Sequence, residues 1–218
     1  MTVDAEPIYW FKKANTVNTP FSLNSEQIRL PLKFTPSSAV EQTCKVAETA
    51  TIGKRMSLKS GADMAQLGTA IHGCIGVALT DPTAPLTLAE VNALLQRMNV
   101  KGFVEPDELL TQIEAFTHWY KTRWPEAMPY AEIPTEIEMP NKQVLQGRID
   151  LLLKVNGGRI LIDHKSNPAG SDRWEVIAQE YAGQMVAYQN AIEHASDEKV
   201  LESWLFLPLA AVGLRCCV

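Results

Sequence analysis

The chain has 218 residues, a formal net charge of −5 and an ordinary globular composition. This length suits one domain with its own hydrophobic core. No apolar run approaches the roughly 18 residues that a membrane span needs, and the acidic N-terminus has no signal core, so we expect a cytoplasmic protein without a membrane partner. The charge argues against a strongly basic nucleic-acid-binding module. It does not exclude an enzyme whose acidic ligands are neutralised by a metal ion.

The cysteines do not indicate a metal cluster. Cys44, Cys74, Cys216 and Cys217 show no CxxC spacing, so neither a zinc site nor an iron–sulfur site is predicted. Reduced thiols are the expectation for a cytoplasmic protein, including the adjacent pair near the chain end.

Residues 1–60 show no clear hydrophobic period and are broken by prolines at positions 7, 20, 31 and 36. We therefore treat residues 1–60 as an N-terminal extension and residues 61–218 as the folded domain. Within the extension, Phe34–Glu41 is compatible with the end of an extended stretch and the start of a short helix, because Ser38 and Glu41 have capping-box spacing.

Three helices are predicted next. The first covers Ala62–Leu79, where apolar residues recur every three or four positions; the others cover Thr87–Asn99 and Pro106 to about Lys121. On another face of the first helix, Gly68 and Gly76 flank His72 at four-residue spacing. Glycine costs about 1 kcal/mol inside a helix, so this pattern indicates close packing or close approach of a ligand. Taken alone, a histidine on a helix is more often a partly buried core residue than a ligand, so His72 by itself indicates little.

Strands are predicted at about 131–138, 143–155 and 159–165, followed by a helix from about Arg173 to His194 and a final strand at Val200–Leu207. Helices, a hairpin, a helix and a strand in this order imply an α/β fold: a central mixed β-sheet flanked by helices.

The hairpin carries the main chemical signal. Asn156-Gly157 is typical of a two-residue turn, in which Val155 pairs with Gly158. Asp150 then lies opposite Asp163, with Cβ atoms about 5 Å apart. Strand alternation places Lys165 on the same face as Asp163. Two such close carboxylates repel each other unless a cation lies between them.

Two alternatives stay open at this point. The acidic residues are also compatible with a solvated strand face, on which Lys154 or Arg159 pairs with them. A turn one residue longer would place Asp150 opposite His164 instead.

The helix after the hairpin adds a polar face, because Tyr181, Gln184 and Tyr188 are three and four residues apart. With these residues, the chain resembles the RecB/AddA-type nuclease domain of the PD-(D/E)XK superfamily over about residues 60–210. The resemblance is carried by five short motifs in order: Gly68-Thr-Ala-Ile-His72, Glu132-Ile-Pro134, Gly147-Arg-Ile-Asp150, Asp163-His-Lys165-Ser and Tyr181-Ala-Gly-Gln184-Met-Val-Ala-Tyr188.

The resemblance implies a restriction-endonuclease-like core and a role for each motif residue. His72, Asp150 and Asp163 would bind a divalent metal, with the backbone carbonyl of His164 as a further ligand. Lys165 would orient or activate the attacking water. Glu132 would help to place a second metal or its water, and DNA binding or support of the site would fall to Gln184, Tyr188 and Tyr181.

The implied function is a deoxyribonuclease, expected to be an exonuclease in DNA recombination or repair. Oxygen ligands with a single His favour Mg²⁺ or Mn²⁺ over Zn²⁺. Gly53-Lys54 is not a P-loop, since Glu48 and Arg55 depart from that motif. The chain would therefore be either a stand-alone nuclease or the nuclease part of a split or truncated helicase–nuclease, with a separate helicase subunit as partner in the second case. The expected substrate is DNA, single-stranded or with duplex ends. The alternative is a non-catalytic DNA-binding or assembly module derived from a helicase–nuclease.

Overall fold

The computed structural model describes residues 32–39, 42–81 and 84–217. In this part of the chain, seven strands form one sheet: β1 (Lys33–Phe34), β2 (Lys45–Thr51), β3 (Met128–Glu138), β4 (Val144–Val155), β5 (Gly158–His164), β6 (Val200–Leu207) and β7 (Val212–Cys217). The α-helices of the described residues are α1 (Met64–Thr80), α2 (Leu88–Arg97), α3 (Pro106–Arg123) and α4 (Trp174–Ser196). No helix in these ranges combines the length and apolar character that crossing a membrane requires.

The sheet is mixed, with strand order β1-β4-β5-β6-β7-β2 and with β3 on the other edge of β4. β4 pairs with β1 in parallel and with β3 and β5 antiparallel, whereas β5 and β6 are parallel. Helices α1, α2 and α3 share a hydrophobic core with one face, and α4 shares a second core with the other face. The predicted α/β fold with a central mixed sheet flanked by helices is confirmed.

The helices and strands predicted after residue 61 all form, with ends that shift by a few residues. The prediction that Val200–Leu207 is the final strand is wrong, because β7 follows it and pairs with β2. The short helix expected near Ser38 is a single 3₁₀ turn at Pro36–Ser38, and Glu41 lies outside the described residues, as do the prolines at 7, 20 and 31. The division of the chain at residue 60 stays a prediction, and the sheet includes strands from both sides of it.

All four cysteines are free thiols, as expected. Cys216 and Cys217 are neighbours in β7, where the first is buried and the second exposed. Burial raises the pKa of Cys74 to about 11, so its thiol stays protonated at neutral pH.

The predicted hairpin register is confirmed over the paired residues. Val155 pairs with Gly158 and Leu151 with Ile162, so the turn is the two-residue form and the longer turn is wrong. Gly157 has φ 87°, a backbone conformation that glycine adopts without steric cost.

In β3 and β4 the alternation of side chains between the two faces of the sheet shifts by one residue, at the same position in both strands. Ile149 packs in the α4 core and Leu151 in the opposite core, although residues two apart in a regular strand share a face. On β3, Ile133 and Ala131 divide between the two cores in the same way. Glu132 lies between these two β3 residues and has φ 54°, a left-handed conformation that is uncommon for a non-glycine residue. The irregularity places Asp150, between Ile149 and Leu151, where the regular alternation breaks.

The segment after β2 is fixed to α3 by one buried side chain. Gln112 is 2% exposed, and its amide nitrogen donates to the carbonyl of Ile52 at 2.6 Å, while its amide oxygen accepts from the N–H of Lys54 at 3.2 Å. A Cβ on Gly53 would lie 2.3 Å from that oxygen, so glycine is required between the two anchored residues.

We predict that Gln112→Ala lowers the free energy of unfolding by about 1–3 kcal/mol, because it leaves the buried carbonyl of Ile52 and the part-buried N–H of Lys54 without a partner. Chemical denaturation would measure the change. The matched control is Gln96→Ala on the exposed side of α2, which we expect to change stability by less than about 0.5 kcal/mol. Equal losses in the two variants would contradict this role for Gln112.

Candidate active site

The candidate site lies where β4 and β5 separate. The last ladder pair is Leu151 with Ile162, and the next residues are Asp150 and Asp163. Instead of continuing the ladder, the backbone N–H of His164 donates to the Asp150 carboxylate (Oδ2) at 2.7 Å. Both aspartates are buried, with exposed fractions of 7% and 2%. Two carboxylates are therefore held inside the protein at the end of a buried hairpin.

Asp163 has a cation and an amide as neighbours. Lys165 Nζ lies 2.7 Å from Oδ2 of this carboxylate, in agreement with the predicted common face. The other oxygen, Oδ1, accepts from Nε2 of Gln184 on α4 at 2.9 Å. Lys165 Nζ also lies 4.9 Å from the ring centre of Tyr181, one turn before Gln184 on the same helix. These four predicted site residues are thus in contact.

Asp150 contacts the opposite layer of helices. Its Oδ1 lies 3.6 Å from Nε2 of His72 on α1. The same imidazole nitrogen lies 2.8 Å from Oε1 of Glu132, and Oε2 of this glutamate lies 3.3 Å from Nη1 of Arg148. The left-handed backbone of Glu132 directs its side chain to this cluster. Strained backbone of this kind is enriched at functional sites.

Of the two glycines that flank His72, one allows close packing of another element on α1. A Cβ on Gly76 would lie 2.9 Å from Oε1 of Glu132, closer than the carboxylate can approach without moving. At Gly68 the nearest atom is the Cβ of Ser166, at 3.6 Å, which is an ordinary contact. The close-packing interpretation therefore applies to Gly76.

The electrostatics of the cluster are dominated by burial. Burial raises the pKa of Asp150 well above its ordinary value, and the nearby Asp163 and Glu132 carboxylates raise it further. Burial alone would lower the pKa of Lys165, but the Asp163 and Asp150 carboxylates outweigh it and the pKa is raised. Lys165 is therefore a cation at neutral pH.

His164 is buried on the far side of the strand from Lys165. Its imidazole packs edge-on against Phe116 and Phe206, with ring centres 5.2 Å and 5.7 Å away. Burial, with smaller electrostatic contributions from His72 and Lys165, lowers its pKa well below the usual range, so the ring is neutral. These aromatic contacts fix the imidazole by packing. Neither ring nitrogen has a hydrogen-bond partner among the described residues.

The donor atoms of this cluster fit a divalent cation. One ligand atom each from His72, Asp150 and His164 lie within 4.8 Å of one another. The raised pKa of Asp150 indicates a buried carboxylate whose charge is incompletely compensated, and the two ring nitrogens of His164 are buried without a hydrogen bond among the described residues. Asp163 is not in this group, and its carboxylate contacts Lys165 and Gln184. The grouping differs from the predicted set, in which His164 contributes its backbone carbonyl.

Tyr188 supports the strand that carries Asp150. It is 4% exposed, and its hydroxyl donates to the carbonyl of Arg148 at 2.5 Å. Gly147 provides the necessary space, since a Cβ there would lie 3.2 Å from the same hydroxyl. Of the two predicted roles, DNA binding and support of the site, this geometry agrees with support.

A cleft of about 610 Å³ opens beside the carboxylates. Its lining includes His72 and Lys165, the half-buried ring of Tyr181 and the exposed Met64 at the start of α1. Further residues of α1 line the cleft, and the loop after β5, which contains Ser166 and Pro168, forms another wall. The cleft gives a ligand access to the imidazole and the ammonium group.

A family model described as the PD-(D/E)XK nuclease superfamily matches residues 45–215. The chain belongs to this superfamily. The matched region contains every site residue discussed above. It also contains strands β2 to β6 and all of β7 except the last two residues.

The superfamily resemblance extends to large helicase–nucleases. The chain is 28% identical over 180 residues to an ATP-dependent helicase/nuclease subunit of Pelotomaculum thermopropionicum, covering 74% of this chain and 14% of that protein. The match to the corresponding protein of Desulforudis audaxviator is 33% over 93 residues, covering 41% and 8%. For Clostridium novyi it is 24% over 164 residues, covering 66% and 13%. The chain thus spans about one seventh or less of these relatives, and the predicted RecB/AddA-type resemblance is confirmed.

Sequence reasoning missed one charged member of this PD-(D/E)XK site. Arg148 holds Glu132 through its side chain and accepts from Tyr188 through its carbonyl. It stands inside the Gly-Arg-Ile-Asp motif, two residues before Asp150, so regular alternation would have placed it on the same face as Asp150. That signal was available in the sequence, whereas the contact with Glu132 depends on a left-handed backbone that the residue type does not predict.

We predict that Asp150→Asn stabilises the metal-free protein at neutral pH. Because the pKa of Asp150 is raised in the folded state, its ionisation reduces the stability of the wild type as the pH rises above the unfolded value of about 4. Asparagine does not ionise and keeps an oxygen that accepts from His164. Unfolding free energies measured in EDTA from pH 4 to pH 8 should diverge in favour of the variant.

The control is Asp172→Asn, which changes an exposed aspartate outside the site. Its stability should follow that of the wild type across this pH range. A wild type that is as stable as Asp150→Asn at pH 8 would show that the buried carboxylate is fully compensated without a metal.

We predict that Tyr188→Phe lowers the unfolding free energy by about 1–3 kcal/mol, because the Arg148 carbonyl loses its hydrogen-bond donor. Thermal and chemical denaturation would measure the loss. Tyr130→Phe, on a half-buried tyrosine of β3, is the matched control and should change stability less. Similar losses at both positions would exclude a specific role for the Tyr188 hydroxyl.

Proposed function

We propose that this PD-(D/E)XK chain is a metal-dependent deoxyribonuclease. The observation that carries the proposal is the buried pair of carboxylates, Asp150 and Asp163, with the ammonium group of Lys165 in contact with the second. Burying such groups is costly unless they are paired, and a purely structural role would be met by apolar residues at lower cost. A divalent cation would supply the missing positive charge.

The metal would be held by His72, Asp150 and Asp163, with the His164 carbonyl as a further ligand. The carboxylate of Asp163 would then bind the ion in place of part of its contact with the Lys165 ammonium group. Carboxylate and carbonyl oxygens with one imidazole favour Mg²⁺ or Mn²⁺. When bound, the ion supplies Lewis acidity toward the phosphate and lowers the pKa of bound water.

The side chains around the metal site would position the substrate and balance charge. Lys165 is protonated, so we assign it the orientation of the attacking water and the neutralisation of charge that develops on the phosphate. Gln184 holds the Asp163 carboxylate in place. Glu132 fixes the His72 ring and remains our candidate for placing a second metal or its water. Tyr181, which faces the cleft, would contact the DNA.

The biological setting is a further part of the proposal. The relatives are named as subunits of an ATP-dependent helicase/nuclease, and the match covers a small part of their length. We propose for this chain an exonuclease role in DNA recombination or repair, a cytoplasmic location and cooperation with a separate helicase subunit. DNA with single-stranded regions or duplex ends is the proposed substrate.

A second candidate function is a non-catalytic DNA-binding or assembly module. The acidic net charge of −5 favours it. The presence of His72, Asp150, Asp163 and Lys165 argues against it, because a module that had lost catalysis would not need this buried set.

The test is cleavage of DNA labelled at its 5′ or 3′ end, single-stranded and duplex, with Mg²⁺ or Mn²⁺. We expect cleavage by the wild type and a loss of about 10²-fold or more in Asp163→Ala and Lys165→Ala. EDTA should abolish the reaction. The position of the label in the products gives the polarity.

Lys101→Ala is the matched control, because it removes an exposed lysine outside the site. Its cleavage rate should equal that of the wild type. Unchanged cleavage in both Asp163→Ala and Lys165→Ala would overturn the assignment of the site. Absence of cleavage by the wild type, together with no binding of Mn²⁺, would favour the non-catalytic module.

A further inference from the structure

The segment after β2 holds an arginine at the rim of the cleft. The backbone N–H of Ile52 donates to Ala211 at 2.9 Å and that of Met56 to Leu209 at 3.1 Å, so the chain is anchored on both sides of Arg55. Gln112 of α3 fixes the same segment from beneath. An exposed side chain is thereby presented from a well-anchored backbone.

Arg55 reaches the cleft wall. Its guanidinium donates through Nη2 to the carbonyl of Pro168, a residue of the wall formed by the loop after β5. Pro168 follows Lys165 by three residues, so their Cα atoms are separated by at most about 11 Å. The arginine therefore lies within a few nucleotides' reach of the proposed reaction centre.

The guanidinium keeps unused hydrogen-bonding capacity. It carries five N–H donors, and Pro168 accepts from one nitrogen. In the described ranges, no carboxylate lies within 4.0 Å of it. By contrast, Arg123, Arg148 and Arg215 each pair with a glutamate. A fork of free N–H donors is well suited to a phosphate group.

The cleft lining agrees with a nucleotide strand. Lys165 gives the lining a positive charge and His72 an imidazole, and no carboxylate of the described residues is in the lining. Met64 and Tyr181 add an apolar and an aromatic surface. Aromatic faces beside cationic groups are the usual elements of a single-strand binding groove.

We propose that Arg55 binds a backbone phosphate of the substrate strand next to the nucleotide that is cleaved, and so holds the strand in the cleft. The proposal rests on the proposed nuclease function for the identity of the ligand. It adds a positioning residue outside the five sequence motifs, on a loop that precedes all of them.

The test is binding of a short fluorescein-labelled oligothymidylate, followed by anisotropy in EDTA as the salt concentration is varied. One phosphate contact on a single strand contributes about 0.7 to the slope of log K against log salt. We expect Arg55→Gln to reduce the slope by about this amount and the affinity by about tenfold at low salt. Arg55→Lys should keep the slope, because it retains the charge.

Arg97→Gln, an exposed arginine on α2 outside the cleft, is the matched control with the same change in net charge. It should bind like the wild type. A wild-type slope in Arg55→Gln, or equal reductions in Arg55→Gln and Arg97→Gln, would overturn the proposal. An equal reduction of the slope in Arg55→Gln and Arg55→Lys would mean that Arg55 acts through packing of the loop, and would also overturn the proposal. Absence of binding by the wild type would overturn it as well.

Cleavage separates this inference from the proposed function. With Mn²⁺, Arg55→Gln should lower kcat/KM for the oligonucleotide about tenfold and leave hydrolysis of bis(p-nitrophenyl) phosphate unchanged, since this small diester does not reach Arg55. Equal losses with both substrates would overturn the positioning role. A wild type that binds with the expected slope pattern but cleaves neither substrate would refute the nuclease proposal and keep the phosphate contact.

Discussion

The site depends on the buried carboxylate of Asp150, whose negative charge is only partly compensated by its neighbours. Asp163 is matched by Lys165 and Gln184, whereas Asp150 receives one backbone N–H and a more distant imidazole. A buried carboxylate without a full set of partners is costly, which is why burial raises its pKa. The folded chain therefore has uncompensated negative charge at Asp150, and a cation is the simplest group that would neutralise it.

The sheet creates this environment because it brings side chains from the helices on both of its faces together at one site. The shift in alternation at Glu132 and Asp150 lets one aspartate contact α1, while the regular strand β5 directs Asp163 to α4. A regular pair of strands would place both carboxylates against the same helix. The irregular backbone thus joins His72 and Gln184, from opposite layers, in one site. Gly76 is the local requirement, since a side chain there would displace Glu132.

The sequence contained most of this arrangement but not its irregular parts. The Asn-Gly turn and the apolar flanks determine the β4–β5 register, and hence the neighbourhood of Asp150, Asp163 and Lys165. Helix periodicity likewise placed α1 and α4 with their polar residues. Local patterns do not predict a left-handed glutamate or its effect on both strands. β7 was missed for a similar reason: it follows a turn that ends at Ala211, which has φ 60° without the glycine or asparagine that signals such a turn.

The anchoring of the segment after β2 ties the rim of the cleft to the interior of α3. Residues 52–56 are held by Gln112 and by the turn before β7, and Ile52 is part of the main core. Loops around binding sites commonly open at low free-energy cost, independently of the rest of the domain. Here an opening of the loop must break contacts with Gln112 and with the turn before β7, so the hydrogen-bonded amide protons of Ile52, Lys54 and Met56 should exchange slowly with solvent. The segment at residues 52–56 would then present Arg55 at a fixed position. Selection among substrates would depend on how easily the nucleic acid deforms to reach it, because this segment does not move.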